Sequence, residues 1–219
     1  MNEEKTKLLK LDLQHFATGE KNYRASTGVD EFYYGIVDDG LTAAQLERVK
    51  FLQNITVDMP QEVVRAYGDN ETAEMAVSSG DVSVNSAFHK IPIEDKQKLL
   101  GWEVVEGLTA AGNNDNPPYV GVIFTKTYED GSKEYVGLPK GIFTRPSITG
   151  NTKGQNTEFS NEEISAQFMD REVTGFSKKK SVIFARDAKD STTNRDALFQ
   201  KIFGIAHPST TTTTTTTGA

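Results

Sequence analysis

A strand that runs directly into a short helix, between Asp81 and Gly101, constrains the fold of this chain more than any other stretch. Within Asp81–Pro92, four residues alternate with a more polar set: Val82, Val84, Ser86 and Phe88. Successive side chains of a strand point to opposite faces, so this period of two predicts one face against a core and one toward a looser surface. The segment therefore predicts a strand that closes a sheet.

The residues after Pro92 predict a short helix. Glu94 and Asp95 lie in its first turn, Lys96 and Lys98 follow, and Gly101 ends it. Acidic residues early, basic residues late and a final glycine complement the helix dipole and stop the helix. We expect Ile93, Leu99 and Leu100 to fold back onto the preceding strand.

The region before this unit predicts further strands. Gly28–Gly40 contains a strand rich in aromatic and β-branched residues. In Leu41–Met59 the first half predicts a loop that allows a helical turn, and the second half predicts a strand through Val49, Phe51, Gln53, Ile55 and Val57. Gln61–Tyr67 then predicts the returning partner of that strand, and an acidic loop leads on to Asp81.

The region after it predicts the clearest hairpin of the chain. Tyr119–Thr127 and Lys133–Phe143 are rich in β-forming residues, and Glu129–Ser132 turns between them. Trp102–Pro118 begins as a strand and becomes a loop. Two more strands are predicted at Glu163–Met169 and Ser181–Ala185.

The domain organisation predicted is an N-terminal arm (1–24), a β domain (25–190), a C-terminal helix (191–205) and a flexible tail (206–219). Ala197, Leu198 and Ile202 recur near helical spacing, and Gly204 is a stop signal. The tail contains an unbroken threonine run, which has no apolar side chains with which to build a core.

Composition excludes several functions. The chain has 219 residues, a formal net charge of −7 and no cysteine, so disulfides and thiolate chemistry are excluded, and gripping a phosphate backbone is disfavoured. No apolar run reaches the length of a membrane span. The N-terminal apolar run is too short and too charged for a signal peptide, which predicts a protein made in the cytoplasm.

No catalytic or cofactor motif is found. The three histidines, His15, His89 and His207, show no metal-ligand spacing, and Asp69 with Asn70 makes an ordinary turn more readily than a calcium site. The glycines are scattered through turns, so no phosphate-binding loop is indicated. We expect no enzyme activity, no metal and no cofactor.

The sequence resembles the major tail protein, the tail-tube subunit of long-tailed bacteriophages of Gram-positive hosts. The matching residues are Tyr67, Asp69, Asn70, Pro92, Leu99, Leu100 and Gly101, and Pro117–Phe143 is similar to the central hairpin of that family. Gly68 departs from the alanine usual there. The resemblance spans roughly Gly28 to Arg186 and consists of short matches.

The resemblance implies a mainly β fold, a β-sandwich or near-barrel of two antiparallel sheets with a short flanking helix. It implies a structural virion protein whose copies, six to a ring, stack into a tube that DNA traverses without specific binding. Tail terminator, distal tail and tape-measure proteins are the implied partners, with no membrane. An acidic channel suits this role because like charge keeps DNA from adhering.

Candidate functional residues fall into two groups. Inter-subunit contacts are expected from the N-terminal arm and from the polar loop Arg145–Phe159, at these residues: Leu9, Leu11, Leu13, Phe16, Arg145, Ile148 and Lys153. A disordered leader is an equal alternative for the arm. Carboxylates near the strand Glu163–Met169 are expected to face the channel: Glu162, Glu163 and Asp170.

A second interpretation from the residues is a monomeric β-sandwich binding module, either a virion decoration or a carbohydrate-binding domain. Composition does not separate it from a tube subunit, whereas oligomeric state does. A hydrolase acting through two carboxylates stays open because three-dimensional spacing is not readable from sequence.

Overall fold

The computed structural model describes residues 23–37, 43–68, 71–150, 152 and 160–210, and the fold is mainly β. The strands are β1 (Gly28–Val37), β2 (Ala43–Val49), β3 (Leu52–Asp58), β4 (Gln61–Gly68), β5 (Glu71–Ser79), β6 (Val82–Phe88), β7 (Glu103–Val105), β8 (Leu108–Ala110), β9 (Val120–Thr127), β10 (Lys133–Phe143), β11 (Glu162–Phe168) and β12 (Ile183–Asp187). The helices are α1 (Ile93–Leu100) and α2 (Thr193–Phe203), and Pro208–Thr210 forms one 3₁₀ turn. The mainly β, antiparallel class predicted from sequence is confirmed.

Eight strands form one sheet in the order β2-β1-β9-β10-β11-β6-β3, and β12 also pairs with β10. The end strands β2 and β3 are joined through Lys50 and Phe51 alone, and β3 lies close to β1, so the sheet curls into a near-barrel. The β4–β5 and β7–β8 hairpins are separate two-stranded sheets.

Along one of its edges, strand β10 pairs with two different strands in succession. Its first half pairs with β12 and its last residues, from Gly141, pair with β11. Pro139 lies between the two halves, where the register with β9 also shifts. Proline lacks an N–H and is tolerated at such irregularities, so it stands where β10 changes neighbours.

The main core lies inside the curved sheet. Strands β1, β6, β9, β10 and β11 supply buried aromatic and aliphatic side chains, and α1 adds Leu99 and Leu100. The alternation predicted for β6 is confirmed, because Val82, Val84, Ser86 and Phe88 are all buried. Helix α1 ends as predicted at Gly101, which adopts a left-handed conformation at φ 65°.

A second core lies on the other face of the sheet, beneath α2. The helix buries Leu198, Phe199, Ile202 and Phe203 against strand residues. It approaches so closely that a Cβ on Gly137 would lie 2.2 Å from Ile202 Cδ1. Glycine at this position therefore allows the helix to lie directly on β10.

Side chains from the sheet region fix both ends of α2. At its start, the Asp187 carboxylate accepts hydrogen bonds from the backbone N–H groups of Asn194 (3.0 Å) and Arg195 (2.9 Å). At its end, Arg171 is buried and donates to the carbonyls of Ile202 (3.0 Å) and Lys201 (3.3 Å). Negative charge at the start and positive charge at the end complement the helix dipole.

The segment after α2 packs back onto this second core. The His207 ring is buried, with its centroid 4.6 Å from Phe199 and 5.4 Å from Tyr33. Its Nδ1 accepts the backbone N–H of Ser209, and Nε2 is buried without a hydrogen-bond partner. Burial lowers the pKa of His207 below its ordinary value, and the positive charge of Arg195 adds to this.

Several sequence predictions are wrong in detail. Ala43–Val49 is a strand and not a loop, because pairing with β1 overrides its helix-forming residues. The partner of β4 is β5, in a segment predicted to be a loop, and not β3. Ile93 is half exposed and does not fold back onto β6. Phe51 is exposed with φ 63° between β2 and β3, so it does not continue a strand face.

Among the helices described, none has the length and apolar character needed to cross a membrane.

Candidate functional site

The outward face of β11, β6 and β3 carries a continuous polar surface. Pairing of the three strands places their outward residues in three rows of neighbours. The first row is Glu163, Ala87 and Asn54, the second is Ser165, Asn85 and Thr56, and the third is Gln167, Ser83 and Asp58. The inward residues of β11, namely Ile164, Ala166 and Phe168, are buried as predicted. We call the nine outward residues the polar face.

The polar face is acidic and contains no basic side chain. Its charged members are Glu163 and Asp58, and the others are small or neutral polar residues. Ser165 Oγ and Asn85 Oδ1 lie 3.2 Å apart, which links β11 to β6 across the surface. Such a surface offers a phosphate backbone hydrogen-bonding groups and negative charge but no cation to hold it.

Glu162 differs from its neighbour Glu163 because contacts within the chain occupy its carboxylate. Its Oε2 accepts the Ile91 backbone N–H at 2.9 Å and lies 2.8 Å from Lys96 Nζ in α1. Burial alone acts to raise the pKa of Glu162, but the hydrogen bonds from Lys96 and Ile91 and the nearby Lys96 and Lys90 charges outweigh it, so the pKa is lowered. Glu162 thus ties the start of α1 to β11.

The other two carboxylates singled out from sequence lie on the surface. Glu163 is exposed in the first row of the polar face, and Asp170 is exposed just beyond the end of β11. The structure therefore separates Glu162, which is compensated by Lys96, from Glu163 and Asp170.

The loop after β10 is anchored at its start and exposed beyond it. Arg145 Nη2 donates to the Gly112 carbonyl and lies 3.5 Å from Asp115 Oδ2, so it holds the loop against a turn of the same chain. Ile148 is 94% exposed. Lys153 and the N-terminal candidates lie outside the described residues: Leu9, Leu11, Leu13 and Phe16.

The β4–β5 hairpin is a candidate functional feature that the sequence did not indicate. Every side chain from Gln61 to Tyr67 is exposed, so the described part of the chain covers neither face of this strand. On one face, Val63 lies opposite Val77 and Arg65 opposite Met75. A signal was present in the alternation of Met75 and Val77 with small or acidic residues, which is typical of a strand, but the glutamate and alanine content of β5 favoured a loop.

The β7–β8 hairpin exposes a second, smaller apolar surface. Thr109 Oγ1 accepts a hydrogen bond from Gln97 Nε2 of α1, so the face that carries Thr109 and Val104 lies toward the helix. The opposite face presents Val105 beside Leu108, which are 57% and 74% exposed.

The remaining candidates from the sequence are the histidines and the acidic turn at Asp69 and Asn70. No group of three or more histidine, aspartate or glutamate residues in the described part of the chain is placed to hold a metal ion. His89 is exposed and lies against the Phe51 ring. Asp69 and Asn70, considered above as a turn, lie outside the described residues.

A family model described as phage tail tube protein matches residues 25–211, which is most of the chain. The chain belongs to the phage tail tube protein family. This tail tube protein is therefore a structural protein of the virion tail, as the resemblance implied. No protein with a curated description matches it significantly.

Chains of two solved structures are also similar to this tail tube protein. A chain from the sheath–tube complex of the PVC extracellular contractile injection system in its extended state shares 11% identity with a TM-score of 0.44, covering 81% of this chain and 99% of that one. A chain from the tube-terminating cap of the anti-feeding prophage shares 11% identity with a TM-score of 0.43, covering 77% and 95%.

Proposed function

We propose that this tail tube protein assembles as rings of six copies that stack into a tube through which DNA leaves the virion. Its role is mechanical and needs no catalytic group or cofactor. The partners proposed are further copies of the chain and the tail terminator, distal tail and tape-measure proteins. We also propose a Gram-positive host and assembly in the host cytoplasm.

The observation that carries the proposal is the uncovered β4–β5 hairpin. An isolated two-stranded hairpin is only marginally stable in water, and a third strand or a packed face is needed for independent stability. Met59, just before β4, and Tyr67, near the end of β4, are exposed as well. Contact with further copies of the chain would cover this hairpin, which supports a subunit of an assembly.

The polar face is proposed to line the channel. Its Glu163 and Asp58, with Asp170 beyond the end of β11, would repel a duplex that has to pass quickly. Because none of its residues is basic, DNA in transit would find no cation there to hold its phosphates. Glu162 lies at the edge of this surface with its charge compensated by Lys96.

Two further contacts between copies are proposed. The loop that begins at Arg145 is anchored within the chain and then exposes Ile148, which suits contact with a neighbouring ring. The apolar residues of the N-terminal arm would dock on a neighbouring subunit, since an apolar segment outside the main domain gains from burial; these are Leu9, Leu11, Leu13 and Phe16.

Native mass measurement of the purified full-length protein tests the ring. The proposal predicts a species of six times the chain mass, or larger stacks of it, at concentrations where assembly occurs. A monomer at every concentration would favour the binding-module interpretation, and a ring of another number would overturn the count of six alone.

A further inference from the structure

We propose that the β4–β5 hairpin of one copy docks on the β7–β8 hairpin of a second copy, in a heterologous contact that joins subunits of the tube. This inference rests on the proposed function and names the two surfaces that meet. The long-hairpin face is defined as Val63, Arg65, Met75 and Val77, and the short-hairpin face as Glu103, Val105, Leu108 and Ala110.

The long-hairpin face is one side of the β4–β5 ladder. Val63 pairs with Val77 and Arg65 with Met75, so the four side chains are neighbours on the same face. Val63 is 55% exposed, and Met75 and Val77 are each 64% exposed. The apolar stripe carries one charge, the Arg65 guanidinium.

The opposite side of the same hairpin is different in character. Glu62 and Glu74 lie there with Val64 and Ala76, since they occupy the alternate positions of the two strands. That side is acidic, and it lacks a basic residue. Of the two sides, the long-hairpin face has the larger apolar area and the positive charge, so we infer that this is the side that a partner covers.

The short-hairpin face has matching chemistry. Val105 pairs with Leu108 and Glu103 with Ala110, which places an apolar patch beside a single carboxylate. All four residues are exposed, while the other side of this hairpin is held toward α1 through Thr109 and Gln97. The long-hairpin face carries the Arg65 cation and the short-hairpin face carries the Glu103 anion, so the two faces are complementary in charge. Contact between them would also remove apolar surface of both hairpins from water.

The contact has to join two molecules. Both surfaces are exposed in the chain, so they do not cover each other within one copy. Each copy carries one of each surface, and two unlike surfaces that bind generate a ring when the rotation closes and a filament when it does not. Either outcome repeats the contact through the whole assembly.

Site-directed cross-linking tests the contact, and the absence of cysteine from the sequence leaves every introduced thiol unique. Full-length Val77→Cys and Leu108→Cys proteins are prepared separately, mixed, assembled and treated with a short bis-maleimide. We expect cross-linked dimer in the mixture, little in either variant alone, and a ladder of products from the double variant. The matched controls are Val64→Cys and Val104→Cys, which lie on the opposite faces of the same two hairpins and should give little product.

Charge reversal provides a second measurement that needs no introduced thiol. Arg65→Glu and Glu103→Arg should each raise the protein concentration needed for assembly by about tenfold, because like charges then meet across the contact. Combining both changes in one chain should restore assembly. Failure of the double reversal to recover, with each variant still folded by circular dichroism, would overturn the pairing.

The outcomes separate this inference from the proposed function. If tubes form but Val77→Cys and Leu108→Cys do not cross-link, the proposed contact between the two hairpins is wrong, while the proposed function as a tube subunit is unaffected. Cross-linking in the Val77→Cys protein alone shows a symmetric contact and also overturns the proposed contact. Absence of any ring or tube from the unmodified protein overturns the proposed function, and this inference with it.

Discussion

Lys96 Nζ in α1 lies 2.8 Å from Glu162 Oε2 at the start of β11, and this ion pair joins the helix to the sheet. The same carboxylate oxygen accepts the Ile91 backbone N–H just before the helix. Glu162 and Glu163 are adjacent in sequence, yet one stabilises the position of α1 and the other is exposed on the polar face. The two carboxylates therefore have different testable consequences.

Replacement of Glu162 by glutamine is expected to lower the free energy of unfolding by about 1 kcal/mol or less, since the pair is partly solvated. The pKa of Glu162 is lowered in the folded protein, so the charged carboxylate stabilises the fold. This stabilisation is fully present above about pH 4, where an unfolded glutamate titrates, and is lost as the pH falls through the folded pKa. Urea unfolding of both proteins at neutral and acid pH measures this. Glu163→Gln is the matched control, and an equal loss in both variants would contradict the role of Glu162.

His207 is expected to make the C-terminal segment sensitive to mild acid. Burial and the charge of Arg195 lower the pKa of His207, so the folded state favours the neutral ring. An unfolded histidine titrates at about pH 6.5, and above that pH the folded protein keeps its full stability. Below that pH, protonation of the ring favours the unfolded chain, and stability is lost. Glu31 and Asp196 oppose the shift, while Lys133 adds to it. Unfolding measured across this range should show a steeper fall for the natural protein than for His207→Phe.

The exposed His89 supplies the control for that experiment. His89→Phe should keep the pH dependence of the natural protein. An unchanged dependence in His207→Phe would show that the buried ring is not its source.

Gly137→Ala is expected to lower stability by about 1–3 kcal/mol, the usual cost of overpacking a core. The added methyl group would meet Ile202 Cδ1 at 2.2 Å and force α2 away from β10. Thermal unfolding measures the loss. Gly150→Ala, where no atom lies within 4 Å of the new Cβ, should leave stability unchanged, and equal stability of both variants would show that α2 does not rest on Gly137.

Reversing charge on the polar face is expected to slow DNA delivery without preventing assembly. Asp58→Lys with Glu163→Lys places two cations where the tube is proposed to pass DNA, and both positions are exposed, so folding should survive. The effect should be greatest at low salt, where the screening length grows from about 10 Å to about 30 Å. Ejection kinetics of phage carrying the variant tube measure it.

Glu129→Lys serves as the control for charge alone, since Glu129 is exposed at the turn between β9 and β10 and not on the polar face. Ejection kinetics at low salt that match the natural phage for both variants would place the polar face on the outer wall.

Deletion of Ser147 to Gln155 is expected to give a folded subunit that assembles poorly. Arg145 and its anchor on Gly112 remain in place, so the sheet should not be disturbed. Circular dichroism checks folding and light scattering follows assembly. Assembly at the natural rate would show that the loop does not join subunits.

Where local pattern and tertiary position agree, the sequence was sufficient to predict the fold. The alternation in β6 and β11, the β9–β10 hairpin and both helices with their final glycines follow from residues near one another in the chain. The ends of β12 were misplaced by two residues because Asp187 also serves α2, which only the folded arrangement shows.

The remainder depends on pairing between distant residues. Ala43–Val49 has helix-forming composition and becomes a strand only beside β1. The different roles of Glu162 and Glu163 depend on Lys96 and Ile91, which are far from them in sequence. The sequence does not indicate the long-hairpin face because β5 contains glutamate and alanine, residues that favour strands poorly.

Electron microscopy of the purified full-length protein, negatively stained after concentration, shows whether the chain forms a tube. A tube subunit should give rings with a central channel and tubes made of stacked rings, with sixfold symmetry in end-on averages. Single particles of monomer size at every concentration, with no ring or tube in any field, would contradict assembly into a tube.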